Sequence, residues 1–88
     1  MGPEKAFGLV LQELRHELNL SQEVLGFESG YHRTYISLLE RGRKSPSLNT
    51  IFQLASVLRV TPSEIIRRVE MKGGKVSKRD RDDQGVRR

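Results

Sequence analysis

Across residues 1–70 apolar residues recur at three- and four-residue spacing, and residues that stop or start helices cut the pattern at short intervals. Phe7, Val10, Leu11, Leu14 and Leu18 mark an amphipathic helix from about Glu4 to Leu18, broken at Asn19-Leu20. Ser21 is placed to cap a short second helix from Gln22 to about Ser29, and Gly30 to end it in the left-handed conformation. A third helix is expected from about Arg33 to Arg41, with Gly42 as its stop. Ser47 caps the fourth, whose stripe of Leu48, Ile51, Leu54, Ala55 and Leu58 is the cleanest in the chain. Thr61-Pro62-Ser63-Glu64 combines a capping box with proline at the first helical position and opens a fifth helix through Ile65, Ile66 and Val69. No segment alternates with the period of two that a half-buried strand requires. The expected fold is an all-α, compact five-helix bundle.

At 88 residues the chain suffices for one small domain, expected over residues 1–70. Residues 71–88, MKGGKVSKRDRDDQGVRR, are nearly all charge, glycine and small polar groups and are expected to form a flexible tail. The tail also carries most of the net charge of +5: seven Lys and Arg against three Asp, compared with nine against eight in residues 1–70. Overall basicity therefore says little about the folded part. Local clustering says more, because residues 33–44 hold Arg33, Arg41, Arg43 and Lys44 against Glu40 alone. The absence of cysteine excludes disulfides and thiolate metal sites. No apolar run approaches the roughly 18 residues of a membrane span, and the N-terminus lacks a signal-peptide pattern. A cytoplasmic protein is expected, with no membrane partner, no cofactor and no metal.

The second and third helices, joined by a few residues, make a helix-turn-helix arrangement. Here LxxLRxxxxLSQExLGxxSG (residues 11–30) followed by YISLLERGRKSPSLxTIFQLAxxL (residues 35–58) resembles the Cro/C1-type, or XRE-family, DNA-binding domain. The resemblance covers about Phe7 to Ile66. Its most specific element is the ordered run ERGxxxPSLxTxxxLA, and HRTYIS followed by ERG is especially similar to controller proteins of restriction–modification systems. It implies a bundle of the lambda-repressor-like type and a sequence-specific, double-stranded-DNA-binding transcription regulator.

The physics of groove recognition fits. A major groove about 12 Å wide admits one α-helix, whose leading residues reach base edges. With Ile36 and Leu39 buried, a 100° step per residue puts Arg33, Thr34 and Ser37 on the outward face. Arg33 has the reach for a bidentate pair with guanine, and Thr34 and Ser37 are short polar groups suited to base edges. The resemblance implies backbone contacts from Gln22, at the start of helix two, and from Arg41, Arg43 and Lys44, which follow helix three. Tyr35 is expected either to contact DNA, its phenol on the backbone or its ring on a thymine methyl, or to pack at the edge of the bundle. Arg15 and Glu40 match a family ion pair tying helix one to helix three.

Several positions depart from the family pattern. His32 stands where a capping Ser or Thr is usual, so the cap of helix three is expected to be weak or supplied by another group. Arg59 replaces a common glycine and would be strained by about 1 kcal/mol at positive φ. Ser29 needs a hydrogen bond if buried, Tyr31 is expected in the core, and Phe27 falls on the outer face of helix two. His16 and His32 lie on different elements with no acid at ligand spacing, and no nucleophile–base pair or phosphate loop is present, so no enzyme is expected.

Family resemblance further implies a two-fold dimer on a palindromic operator, through helix five. Because Pro62, Glu64, Arg67 and Arg68 make that surface polar, a weak homodimer is expected. A different class of reading makes the chain an antitoxin-type interaction module, binding a partner protein through Phe27 or the tail as well as DNA.

Overall fold

The computed structural model describes residues 1–76; the segment 77–88, most of the expected tail, lies outside the described residues. Five helices follow one another: α1 (Pro3–Glu17), α2 (Gln22–Ser29), α3 (Arg33–Glu40), α4 (Leu48–Leu58) and α5 (Pro62–Met71). No strand occurs among the described residues. The fold is an all-α bundle of lambda-repressor-like type.

Each boundary has a local cause. Ser21 Oγ accepts from Val24 N–H, Ser47 Oγ from Thr50 N–H and Thr61 Oγ1 from Glu64 N–H, each satisfying an otherwise orphaned donor. The cap of α3 is His32 itself, whose Nδ1 accepts from Thr34 N–H at 3.0 Å. Imidazole has thus taken over the task of a hydroxyl. Helix ends use left-handed residues: Gly30 after α2, Arg59 after α4 (φ 62°) and Asn19 just beyond α1 (φ 56°). Arg59 has a Cβ, so the strain anticipated for a non-glycine residue applies there.

Buried side chains from α1 (Val10, Leu11, Leu14), Leu25 of α2, Ile36 and Leu39 of α3, Leu54 of α4 and Ile65 of α5 form one core. Helix α1 packs on α3 and α5, α2 on α3 and α4, and α4 on α5. Two glycines set how closely α3 is held. A Cβ on Gly8 would lie 2.4 Å from the Glu40 carbonyl oxygen, and one on Gly26 2.6 Å from that of Tyr31. Only a bare backbone lets α1 and the α2–α3 turn approach so tightly. Ser29 is buried and donates to Leu25 O at 2.7 Å, which satisfies its hydroxyl. Tyr31 lies at the edge of the core, half-buried, with its ring packed against it.

Beyond α5, Gly74 N–H donates to Val69 O and Lys75 N–H to Met1 O, so the chain stays against the bundle through these residues. No helix among the described residues is long and apolar enough to cross a membrane.

Candidate nucleic-acid interface

Helix α3 is eight residues long and buries one side through Ile36, Leu39 and Glu40. The other side carries Arg33 and Thr34, both exposed, and Ser37, half-buried. Together with Gln22 from the start of α2, these three line an open notch of about 290 Å³ between the two helices. Four residues singled out from the sequence are thus brought to one place.

The carboxylate of α3 itself is turned inward, while Glu23 of α2, beside Arg33, stays exposed. Glu40 is buried and accepts from Arg15 Nε at 2.6 Å and Nη2 at 3.0 Å. Arg15 Nη1 donates to Leu20 O at 2.8 Å, so the guanidinium also holds the α1–α2 turn. Glu40 Oε1 accepts a third bond, from Gln22 Nε2 at 3.0 Å. Gln22 is therefore tethered from inside by one of its two amide protons, and the second remains free to donate. Every charge of this cluster is matched, as a buried pair requires. Its consequence outside is that Arg33, Arg41, Arg43 and Lys44 are all exposed and make no salt bridge among the described residues. Arg41 makes one long contact, from Nε to Ser37 O at 3.4 Å.

Tyr35 sits on the opposite flank of α3, half-buried, with its ring 5.0 Å from that of Tyr31. Both hydroxyls reach the buried Thr50 Oγ1 in the first turn of α4, at 3.1 Å from Tyr31 and 3.2 Å from Tyr35. Sequence reasoning missed Thr50. It stands in the run ERGxxxPSLxTxxxLA, so the family pattern marks the position, but a threonine off the apolar stripe of α4 gives no sign of which hydroxyls it meets.

Other surfaces lie apart. Phe27 is 84% exposed beside a depression lined by Glu23, Tyr31, His32 and Arg33. On α5, Glu64 pairs with both Arg67 and Arg68, while Arg68 also reaches Glu17 of α1, and Lys72 meets Glu13. Hydrogen bonds from Arg67 and then Arg68 hold the Glu64 carboxyl below the usual carboxylate range. The hydrogen bonds that Arg68 donates to Glu17 and then Glu64 raise its guanidinium above its ordinary value. Glu64, Arg67 and Arg68 of α5 are thus paired within the molecule. Leu48 (75%) and Phe52 (60%) on α4 and Ile66 (44%) on α5 are exposed apolar residues, Ile66 lining a shallow groove with Phe7, Ile51 and Pro46.

Residues 11–65 match the family described as Helix-turn-helix. The chain is similar to y4dJ, an HTH-type transcriptional regulator of Sinorhizobium fredii, with 38% identity over 66 residues, spanning 75% of this chain and 86% of that protein. It is also similar to control protein C.BamHI of Bacillus amyloliquefaciens, with 41% identity over 61 residues, 68% of this chain and 75% of the relative. Among solved structures, the restriction–modification controller protein C.AhdI of Aeromonas hydrophila superposes with a TM-score of 0.68 at 44% identity, covering 69% of this chain and 92% of that one.

Proposed function

The chain belongs to the Helix-turn-helix family and is a DNA-binding transcription regulator, and from that premise we propose that α3 enters the major groove and reads sequence there. Arg33, Thr34 and Ser37 are the base contacts. Gln22 and Tyr35, on either flank of the helix, and Arg41, Arg43 and Lys44, at its exit, hold the phosphates that set register and affinity. The observation that carries this reading is the inward turn of Glu40: it removes the anion of α3 from the surface, while Arg33, Arg41, Arg43 and Lys44 stay exposed with no salt bridge among the described residues.

The test is selection of binding sites from random duplexes at fixed salt. A palindrome with guanines that lose their preference in Arg33→Ala is the expected outcome. Uniform binding to every duplex, with or without Arg33, overturns the assignment.

The finer reading includes a homodimer on a palindromic operator. The salt bridges of α5 are spent within the molecule, so the apolar set Leu48, Phe52 and Ile66, flanking the start of α4 and the side of α5, is the self-association surface. The set is small, which suits a weak, concentration-dependent dimer. Elution at monomer size at both micromolar and millimolar loading counts against it. An antitoxin-type module gains no support from the relatives, whose names are those of transcriptional regulators and control proteins.

A further inference from the structure

Hydroxyl accounting around Thr50 assigns a direction to each hydrogen bond of the Tyr31–Tyr35 pair. Thr50 Oγ1 accepts from Tyr31 Oη at 3.1 Å and from Ser47 Oγ at 3.1 Å. A hydroxyl oxygen has two lone pairs and one proton, so these two donors exhaust its accepting capacity. Its remaining partner, Tyr35 Oη at 3.2 Å, must therefore accept the Thr50 proton. The proton of Tyr35 is left over, and among the described residues no acceptor takes it.

We propose that Thr50 is a positioning residue for DNA binding: a relay from Tyr31 and Ser47 through Thr50 holds the Tyr35 hydroxyl as an outward donor for a DNA phosphate oxygen. The inference rests on the reading of α3 as the groove-entering helix and adds to it a residue buried on α4 that touches no DNA. Three features support it. Thr50 is 4% exposed, so its hydroxyl has no role at the surface. Tyr35 lies on the α4 side of α3, away from the notch of Gln22, Arg33, Thr34 and Ser37, where the second phosphate wall of a groove would pass. Each bond in such a chain polarises the next, so a terminal hydroxyl that already accepts is a stronger donor. A rotor that would otherwise spin is thereby fixed before DNA arrives, which lowers the ordering cost of the contact.

The experiment compares duplex affinity for the wild type, Tyr35→Phe, Thr50→Val, the double variant and Thr50→Ser. It uses a mixed-sequence duplex at low salt, so no operator need be known. Thermal melting of each variant accompanies the titrations. Tyr35→Phe is expected to weaken binding by about tenfold, the scale of one hydrogen bond to a charged acceptor. Thr50→Val, nearly the same shape, should weaken it by about threefold or more yet add nothing in the Tyr35→Phe background. Thr50→Ser should restore wild-type affinity. The salt slope should stay unchanged throughout, because a neutral donor releases no counterion. A structural role alone would instead displace the neighbouring cations and flatten that slope. Wild-type affinity in Thr50→Val, or losses that add in the double variant, would overturn the relay. A Thr50→Val chain that fails to melt cooperatively, with Thr50→Ser also weak in binding, would overturn it as well. A wild type that binds no duplex would overturn the groove reading itself.

Discussion

Arg15 of α1 and Glu40 of α3 meet through two hydrogen bonds, at 2.6 and 3.0 Å, while separated by 25 positions in the chain. Both are buried, and the pair fixes the far end of the groove-facing helix to the body of the fold. Removing either partner strands a buried charge. Arg15→Met or Glu40→Gln is expected to cost about 3–5 kcal/mol, a large part of the roughly 5–15 kcal/mol that holds a small domain together. The double replacement Arg15→Met with Glu40→Leu should recover much of that loss while releasing Gln22. Urea denaturation checks the stabilities. Double-variant stability no better than the singles would refute the stranded-charge account.

Arg33 and the exit cations should separate in their effects on DNA binding. Arg33→Ala is expected to lose about 1–3 kcal/mol on the selected operator and to relax base preference at one position per half-site. Lys44→Ala or Arg43→Ala should weaken all duplexes alike and reduce the slope of log affinity against log salt by about 0.9 for each lost phosphate contact. Titrations at several salt concentrations measure both. A Lys44→Ala variant that changed base preference would reverse the division of roles.

Arg59 occupies left-handed space at φ 62° with its side chain exposed. Arg59→Gly is expected to raise stability by about 0.5–1 kcal/mol through relief of Cβ strain, net of the greater chain entropy of glycine. Calorimetry gives the sign directly. At the other end of the interface, His32→Ala should lose the cap of α3, about 1 kcal/mol, and His32→Ser should keep it.

Glu64 supplies a pH dependence. Its carboxyl is held below the ordinary range by hydrogen bonds from Arg67 and then Arg68. A lowered folded-state value means that the unfolded chain binds the proton first. The contribution is therefore fully present above the usual carboxylate range and lost as pH falls through the lowered value. Because the group is solvent-accessible, salt should weaken it. Melting temperatures of wild type and Glu64→Gln should differ near neutral pH and converge in acid. A gap that widened on acidification would contradict the sign.

Phe52→Glu should shift self-association toward monomer by about tenfold or more, because a large exposed aromatic carries much of the affinity of a small apolar contact. Sedimentation equilibrium reads the constant. If Phe52→Glu self-associates as wild type does, the patch is not the contact.

Helix positions were legible in the sequence because helices and their caps are local. Ser21, Ser47 and Thr61 act within three residues of themselves, and the stripe of α4 needs only a period. His32 acts as locally as the hydroxyl caps do, its imidazole Nδ1 accepting from Thr34 N–H two residues on. The outward placement of Arg33, Thr34 and Ser37 also follows from helical geometry once Ile36 and Leu39 are buried. Partnerships across the fold were legible only through family resemblance, or not at all. Gln22 meets Glu40 across 18 positions, Tyr35 meets Thr50 across 15, and Arg68 meets Glu17 across 51. Such separations leave no periodic trace, because they depend on how α1, α4 and α5 pack against α2 and α3. By itself the sequence determined five helices and a cluster of cations, through spacing and capping that act within one turn. Only the tertiary structure decided which charges are paired, at Glu40 and along α5, and which cations near α3 remain exposed and unpaired among the described residues. Packing brings groups within hydrogen-bond reach irrespective of their distance along the chain.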